Sequence, residues 1–519
     1  MKWQEILAPL SLALVTVITF SYFFGGKKVE DIEQLRSGQQ FCVMPTMQMC
    51  LPVNREIDFY DAHGKKDPVM TNVQGYHENL VFSSAGATLD TLAFKRDLAG
   101  VEGTITTLSP LASNQREKGA FIIALDEATP FDFTLVSSER TDDAVHLKYE
   151  SSNVQAKITK EFIVSTKKYS IDMVVTIEPL IKDKAGVVTA VRPRIFLPGP
   201  YMPELGKQEH VSGIVFTERE SLEKMQSDAT DGFAWRSPQI FGVEDRYFVH
   251  ALVRDQQHFT QRAYFKRELD NRLAAILEGP SITEKTSWTL SFYCGPKEAP
   301  ALAAVDKRLE TIMDYGWLAP ISKFLLYLLN LIYSYVGNYG WAIIILTVLM
   351  RLIMFPFTRS GERNMRKQSE IAEKMKYLSQ KYKDDAQALR EAQTELMKKH
   401  GLSPMAGCLP LLLQIPIFIG LNYALRNSIE LYRAPFIFWI KDLSARDPYY
   451  TIPAFVGLTF FMAMSATSKD PRHKIAMLVL SFVLAGVMAN ISAGLGLFIG
   501  VSSLLGVLQT NYNKRAKVA

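Results

Sequence analysis

Arg351 stands inside a long apolar run, Trp341-Ala342-Ile343-Ile344-Ile345-Leu346-Thr347-Val348-Leu349-Met350-Arg351-Leu352-Ile353-Met354-Phe355-Pro356. Its guanidinium cannot shed its proton, and an arginine at a helix centre costs ~2.5–3.5 kcal/mol on insertion scales. It therefore needs water, a counter-charge or a phosphate. Snorkelling toward the cytoplasmic end is the competing account, since Thr358 is only seven residues on, roughly 10 Å at 1.5 Å per residue. Two further groups favour a wet cavity. Thr347 precedes Arg351 by one helical turn and shares its face, and Gln414 sits in the next apolar run, Leu411-Leu412-Leu413-Gln414-Ile415-Pro416. Ser502, Ser503 and Gln509 in the last apolar run are candidates for the same cavity, although small polar residues also serve helix packing.

Other chemistries find less support. His210, His250 and Glu244 lie in the region before residue 300, where a carbohydrate-processing site would need them to converge; lone histidines are more often ordinary core or surface residues. There is no Gly-x-x-x-x-Gly-Lys-[Ser/Thr] phosphate loop, and no His/Cys pattern with metal-ligand spacing. No acidic residue lies deep in an apolar run, which argues against ion-coupled transport. The expectation is a non-enzyme without a cofactor, using a cation and neutral donors to hold a polar peptide segment. A small-molecule or lipid transporter using the same cavity is the alternative. A net charge of +5 on 519 residues does not suggest a nucleic-acid binder. Four cysteines are too few for a disulfide scaffold, and whether Cys42 and Cys50 pair is open.

The elements that must position these groups divide the chain in two. A span needs roughly 20 apolar residues. Ile6–Phe24 satisfies this and lacks a small-x-small cleavage site, so it reads as an uncleaved anchor rather than a signal peptide. Five more spans are expected: Asn338–Thr358, Pro404–Ser428, Tyr449–Thr467, Lys474–Asn490 and Ala493–Asn513. Trp317–Val336 carries Lys323, Asn330, Ser334 and three tyrosines, and reads as an interfacial helix. Arg359–Lys399 holds eleven Lys/Arg against seven Asp/Glu, and Lys469–Lys474 and the Lys514-Arg515-Ala516-Lys517 tail are also basic. The positive-inside rule puts these in the cytoplasm, which six spans with both termini inside satisfy; Lys27 and Lys28 after the first span are the one contrary signal.

Residues 25–313 read as an exported antiparallel β-sandwich. Val145–Tyr149, Val154–Ile158 and Tyr169–Ile177 alternate or nearly so, with turns at Ser151-Ser152-Asn153 and Thr166-Lys167-Lys168; Tyr247–Val253 and Trp288–Tyr293 fit the same pattern. Glu298–Met313 has a helical period. In the basic segment, Ile371, Met375 and Leu378, then Leu389, Ala392 and Leu396, describe a helical hairpin over residues 360–400 that turns at Lys383-Asp384-Asp385.

Several stretches resemble one family: Val336-Gly337-Asn338-Tyr339-Gly340-Trp341, Arg351 with Met354-Phe355-Pro356, Gly407-Cys408-Leu409-Pro410, Gln414-Ile415-Pro416-Ile417-Phe418 and Asp442-Leu443-Ser444-Ala445-Arg446-Asp447-Pro448. Together they are similar to the YidC membrane protein insertases of Gram-negative bacteria. The resemblance implies an α-helical polytopic core plus a periplasmic β-supersandwich, laid out as an anchor (1–24), a periplasmic domain (25–313), an interfacial helix (314–337), a five-helix core (338–513) and a short basic tail (514–519). It implies residence in the inner membrane and a groove where Arg351, Thr347 and Gln414 receive nascent membrane proteins. Sec translocon, ribosome and membrane lipids would be partners. The chain departs from the common pattern at Phe498 and Ile499, where paired tyrosines are usual, at Ser503, where asparagine is common, and at Asn490-Ile491-Ser492, which replaces an aromatic-proline stretch.

Overall fold

The computed structural model describes residues 48–50, 68–98, 101–108, 119–125, 131–182, 186–201, 211–217, 221–226, 233–267, 272–316, 318–382, 385–399, 409–465 and 471–515. The expected anchor at Ile6–Phe24, Cys42, Cys408 and His210 lie outside these. Two compact units result, one built from residues around 40–314 and the other from the helices that follow.

The first unit is antiparallel β throughout its described strands. Nine strands form the largest sheet, in the order Leu222–Gln226, Ser212–Phe216, Ile240–Glu244, Phe248–Asp255, Thr286–Pro296, Ser170–Pro179, Ala156–Ser165, Ala144–Ser152 and Thr134–Arg140. A six-stranded sheet runs Gln48–Cys50, Phe233–Arg236, Arg262–Arg267, Leu273–Glu278, Arg194–Pro198 and Ile122–Ala124, and a four-stranded sheet covers Met70–Leu108. The alternation read from the sequence has its expected consequence: Val145, Leu147 and Tyr149 are buried while their neighbours are not, and Ile158, Phe162 and Val164 follow suit. The turn between these strands is set by Asn153, whose Oδ1 accepts from the amides of Gln155 and Ala156 at 2.8 and 3.0 Å. Aromatic pairs such as Phe121–Phe292 (4.8 Å) and Phe82–Phe162 (4.9 Å) fill the centre.

One ionisable group in this unit is held in its uncharged form. Burial pushes the Glu78 carboxyl up to about 8, against the opposing pull of the His77 and Tyr76 amides. Between its ordinary 4.5 and that value the folded state holds the extra proton, so stability falls as pH rises through this window. Glu78→Gln should remove the loss, raising stability relative to wild type by on the order of 4 kcal/mol above pH 8 and by little near pH 5. Thermal unfolding at the two pH values checks it; an equal effect at both would mean that Glu78 is charged in the fold.

The second unit is helical. α1 (Ala299–Val305) closes the β unit, and the helical unit follows with α2 (Ala319–Val336), α3 (Tyr339–Lys381), α4 (Ala386–Lys399), α5 (Leu409–Asn427), α6 (Thr451–Ser465), α7 (Pro471–Met488) and α8 (Ala493–Arg515). The α2–α3 junction is written locally. Gly337 ends α2 in the left-handed region at φ 68°, and Asn338 starts α3 by accepting from the amides of Gly340 and Trp341. α3 runs from the predicted span into the basic segment as one 43-residue helix ending at Lys381, and α4 begins at Ala386. Leu325, Leu329, Ile343, Leu346, Leu421, Leu443, Val456 and Phe498 bring α2, α3, α5, α6 and α8 onto one apolar core.

The outward faces are apolar as well. Phe324, Tyr327 and Tyr335 on α2, Leu458 on α6, and Ile475, Val479 and Phe482 on α7 are all exposed, as helices bathed in lipid require. By length and composition Ala319–Val336, Tyr339–Pro356 and Ala493–Asn513 are sufficient to cross a membrane, while Thr451–Ala463 and Met477–Met488 are shorter apolar helices. Among the described residues the expected total of six spans is thus not reached on length alone. Ala319–Val336, read from sequence as interfacial, is itself long enough to span.

Candidate functional site

The seam between α3 and α8 holds the polar groups. Arg351 donates from Nε to Ser502 Oγ at 3.0 Å, and Gln509 Nε2 donates to Thr358 Oγ1 at 2.7 Å. Both steps are seven residues along each helix, so the two helices run in the same direction with polar rungs about 10 Å apart. One turn earlier stand Thr347 and Phe498, 1% and 2% exposed. The seam is therefore closed by apolar packing at that level and polar from Arg351 onward.

Each sequence-predicted residue can now be placed. Arg351 and Ser502 meet directly, and Ser503 is half-buried beside them on α8. Thr347 spends its hydroxyl on the Ile343 carbonyl at 2.6 Å, so it back-bonds within its own helix rather than offering a donor to a cavity. Phe498, a further position that the resemblance implies for the groove, packs in the apolar core one turn before Ser502, its ring 6.5 Å from that of Phe418. Gln414 is half-buried on α5, and among the described residues no hydrogen bond joins it to Arg351 or Ser502.

The candidates in the β unit resolve as structural groups. Glu244 is buried between Lys224 and Lys297, each 2.8 Å away, and accepts from Ser212 Oγ at 2.9 Å. Burial alone would raise its pKa, but the two ammonium groups outweigh this and hold it below the usual carboxylate range. His250 is sealed in, with Nδ1 2.9 Å from the Pro198 carbonyl, and burial pulls it down to about 4. It stays neutral where a general base would have to titrate.

Asp447 is a residue whose role the sequence reading left undefined. Its carboxylate accepts from Trp439 Nε1 (3.2 Å), Tyr449 N (3.1 Å), Thr451 Oγ1 (2.7 Å) and Ile452 N (2.7 Å), tying the loop before α6 to that helix's first turn. Asp442 does the same upstream, accepting from the Arg433 amide and from both Ser444 donors. Burial opposes the charge on Asp447, but these donors hold its pKa below the usual range. Asp447→Ala should destabilise the helical unit by roughly 2 kcal/mol through the lost cap and the orphaned donors. Thermal unfolding in detergent reads this, and an unchanged midpoint would show the loop to be held elsewhere.

Two family descriptions match the chain. Residues 331–519 match the family described as 60Kd inner membrane protein, and residues 80–328 match the YidC periplasmic domain. A membrane protein insertase YidC of Geobacter sp. strain M21 is 36% identical over 299 residues, covering 56% of this chain and 55% of that protein. The counterpart in Citrifermentans bemidjiense is 37% identical, covering 52% of each, so the chain spans about half the length of these two relatives. That of Geobacter metallireducens is 30% identical over 540 residues and covers 99% of both chains.

Proposed function

The chain belongs to the YidC family of membrane protein insertases, and we propose that it inserts and helps to fold nascent membrane proteins through the α3–α8 seam around Arg351. Members of this family are insertases, not enzymes, and reside in the inner membrane with a periplasmic domain. The observation that carries the mechanism is a half-buried guanidinium on an apolar helix, hydrogen-bonded to the neutral hydroxyl of Ser502. The guanidinium cannot shed its proton, so an entering acidic or polar segment gains a charge-assisted hydrogen bond there.

The proposed cycle needs no covalent chemistry and no cofactor. The substrate's polar tail is held part-way into the bilayer at Arg351, with Gln414 and Ser503 as further polar contacts. Its apolar helix then moves sideways into lipid, driven by burial at ~25 cal/mol per Å². In this reading the chain crosses the membrane six times, with both termini cytoplasmic, residues 25–313 in the periplasm and residues 314–337 at the interface. The hairpin 360–400 and the basic tail 514–519 face ribosome and headgroups, and the Sec translocon is a partner for larger substrates. The parallel course of α3 and α8 supports this topology, because both then end on the basic, cytoplasmic side.

Purified chain in liposomes, without nucleotide, tests the proposal. Insertion of a small single-span protein above the level of empty liposomes is expected. No insertion by verified folded protein would return the cavity to the small-molecule or lipid transporter reading.

A further inference from the structure

A cavity of about 480 Å³ opens on one face of the six-stranded sheet, lined by Arg192, Ala234, Arg236, Gln261, Arg262 and Glu278 among others. Its position follows from strand register. Arg236 pairs with Arg262, Arg262 with Glu278, and Glu278 with Arg194, so one rung across four adjacent strands reads Arg–Arg–Glu–Arg. Residues directly opposite share a face, which puts all four side chains on the same side. The next rung inward on that face is apolar: Tyr264, Ile276, Phe196 and Ile122 form a small cluster of their own. The cavity at the charged rung combines a cationic wall with the apolar lining of Ala234 and Trp235.

The charges in that wall do not balance. The carboxylate of Glu278 is taken up by Arg194 Nε at 3.0 Å and Arg192 Nη1 at 3.3 Å. Arg262 Nη2 stands 3.8 Å from the same carboxylate, beyond hydrogen-bond reach, and its buried Nε has no partner. Arg236 is exposed directly across from it, and like charges opposite one another on a sheet repel. Three arginines and one glutamate line the cavity, leaving two positive charges beside an orphaned N–H donor. A single oxyanion between the Arg236 and Arg262 guanidinium groups would relieve the repulsion.

We propose that this cavity is a binding site for a small ligand bearing an oxyanion, carboxylate or phosphate, with Arg262 and Arg236 as its forked donors. The volume lies in the range of small-molecule sites, and Ala234 and Trp235 in the lining suit a ring or short chain attached to the anion.

Isothermal titration calorimetry on the full-length chain in detergent, in a buffer free of phosphate and carboxylate, tests this with three probes. Inorganic phosphate and glucuronate represent the two oxyanions, and galactose is the neutral control. Saturable binding of either anion, with none of galactose, is expected, and Arg236→Gln should weaken it roughly tenfold. Arg236 is exposed, so this variant keeps the fold; Arg236→Lys should recover part of the affinity. Phosphate preferred over glucuronate would assign a phosphorylated ligand, and the reverse a sugar or side-chain acid. No saturable binding of either anion up to about 10 mM, or binding unchanged in Arg236→Gln, overturns the proposal.

Discussion

Replacing Arg351 by alanine should lower insertion of substrates with acidic tails by about 10- to 100-fold. That is the rate equivalent of losing a charge-assisted hydrogen bond, roughly 1.5–3 kcal/mol, from the rate-limiting approach of the tail. Arg351→Lys should retain more, because a point charge survives although the fork does not. Substrates with neutral tails should lose less than acidic ones, and this contrast separates a groove cation from a merely structural arginine. The structural alternative is concrete. Arg351 bonds Ser502 across the α3–α8 seam, and Ser502→Ala deletes that bond while leaving the charge. If Ser502→Ala matches Arg351→Ala, the arginine acts by holding the helices together. Normal insertion of acidic-tailed substrates by Arg351→Ala, at equal protein level, would sink the cation's role altogether.

The largest expected effect on stability lies at Lys160 in the β unit. This side chain is fully buried, and its Nζ donates to the carbonyls of Gly86, Ala87 and Phe121 at 2.6, 3.1 and 2.7 Å. Gly86, Ala87 and Phe121 all have positive φ, at 71°, 44° and 71°, and the ammonium collects the carbonyls that these turns aim inward. The Phe133 ring, 5.0 Å from Nζ, adds a cation–π contact. Lys160→Ala would leave three buried acceptors and a cavity, for a loss of roughly 3–5 kcal/mol. Lys160→Met refills the volume but not the hydrogen bonds, and should lose about 1–3 kcal/mol.

The pH dependence has a definite sign. Burial lowers the Lys160 pKa well below its ordinary 10.5, so between the lowered value and 10.5 the unfolded chain binds the extra proton. Stability contributed by this site therefore rises with pH across that window. The wild-type minus Lys160→Met difference should grow toward alkaline pH in thermal unfolding. A difference that shrinks instead would mean that the three carbonyls hold the ammonium charged against its burial.

Much of this was legible in the sequence, for reasons that are local. Period-two alternation marked the strands at Ala144–Ser152 and Ser170–Pro179, because a half-buried strand must present one face to the core; the segment read at Val154–Ile158 catches only the start of Ala156–Ser165, with Val154 exposed before it. The break between α3 and α4 and the start of α3 at Asn338 were likewise written in neighbouring residues. Arg351 was conspicuous because a charge in an apolar run is costly wherever the helix goes.

What the sequence could not supply was phase between distant elements. Phe498 and Ser502 are one helical turn apart on the same face of α8, yet the first packs against Phe418 and the second bonds Arg351, a distinction set by which neighbour each level of the helix meets. The same limit hid the rung of Arg236, Arg262, Glu278 and Arg194, whose members are scattered over more than eighty residues and meet only through register. It hid the role of Lys160 too, since its three partners belong to turns some 39 to 74 residues away in sequence. Amphipathic period and capping are short-range and survive in the one-dimensional record. Which charge meets which acceptor depends on strand order and helix rotation, and only the packed chain decides those.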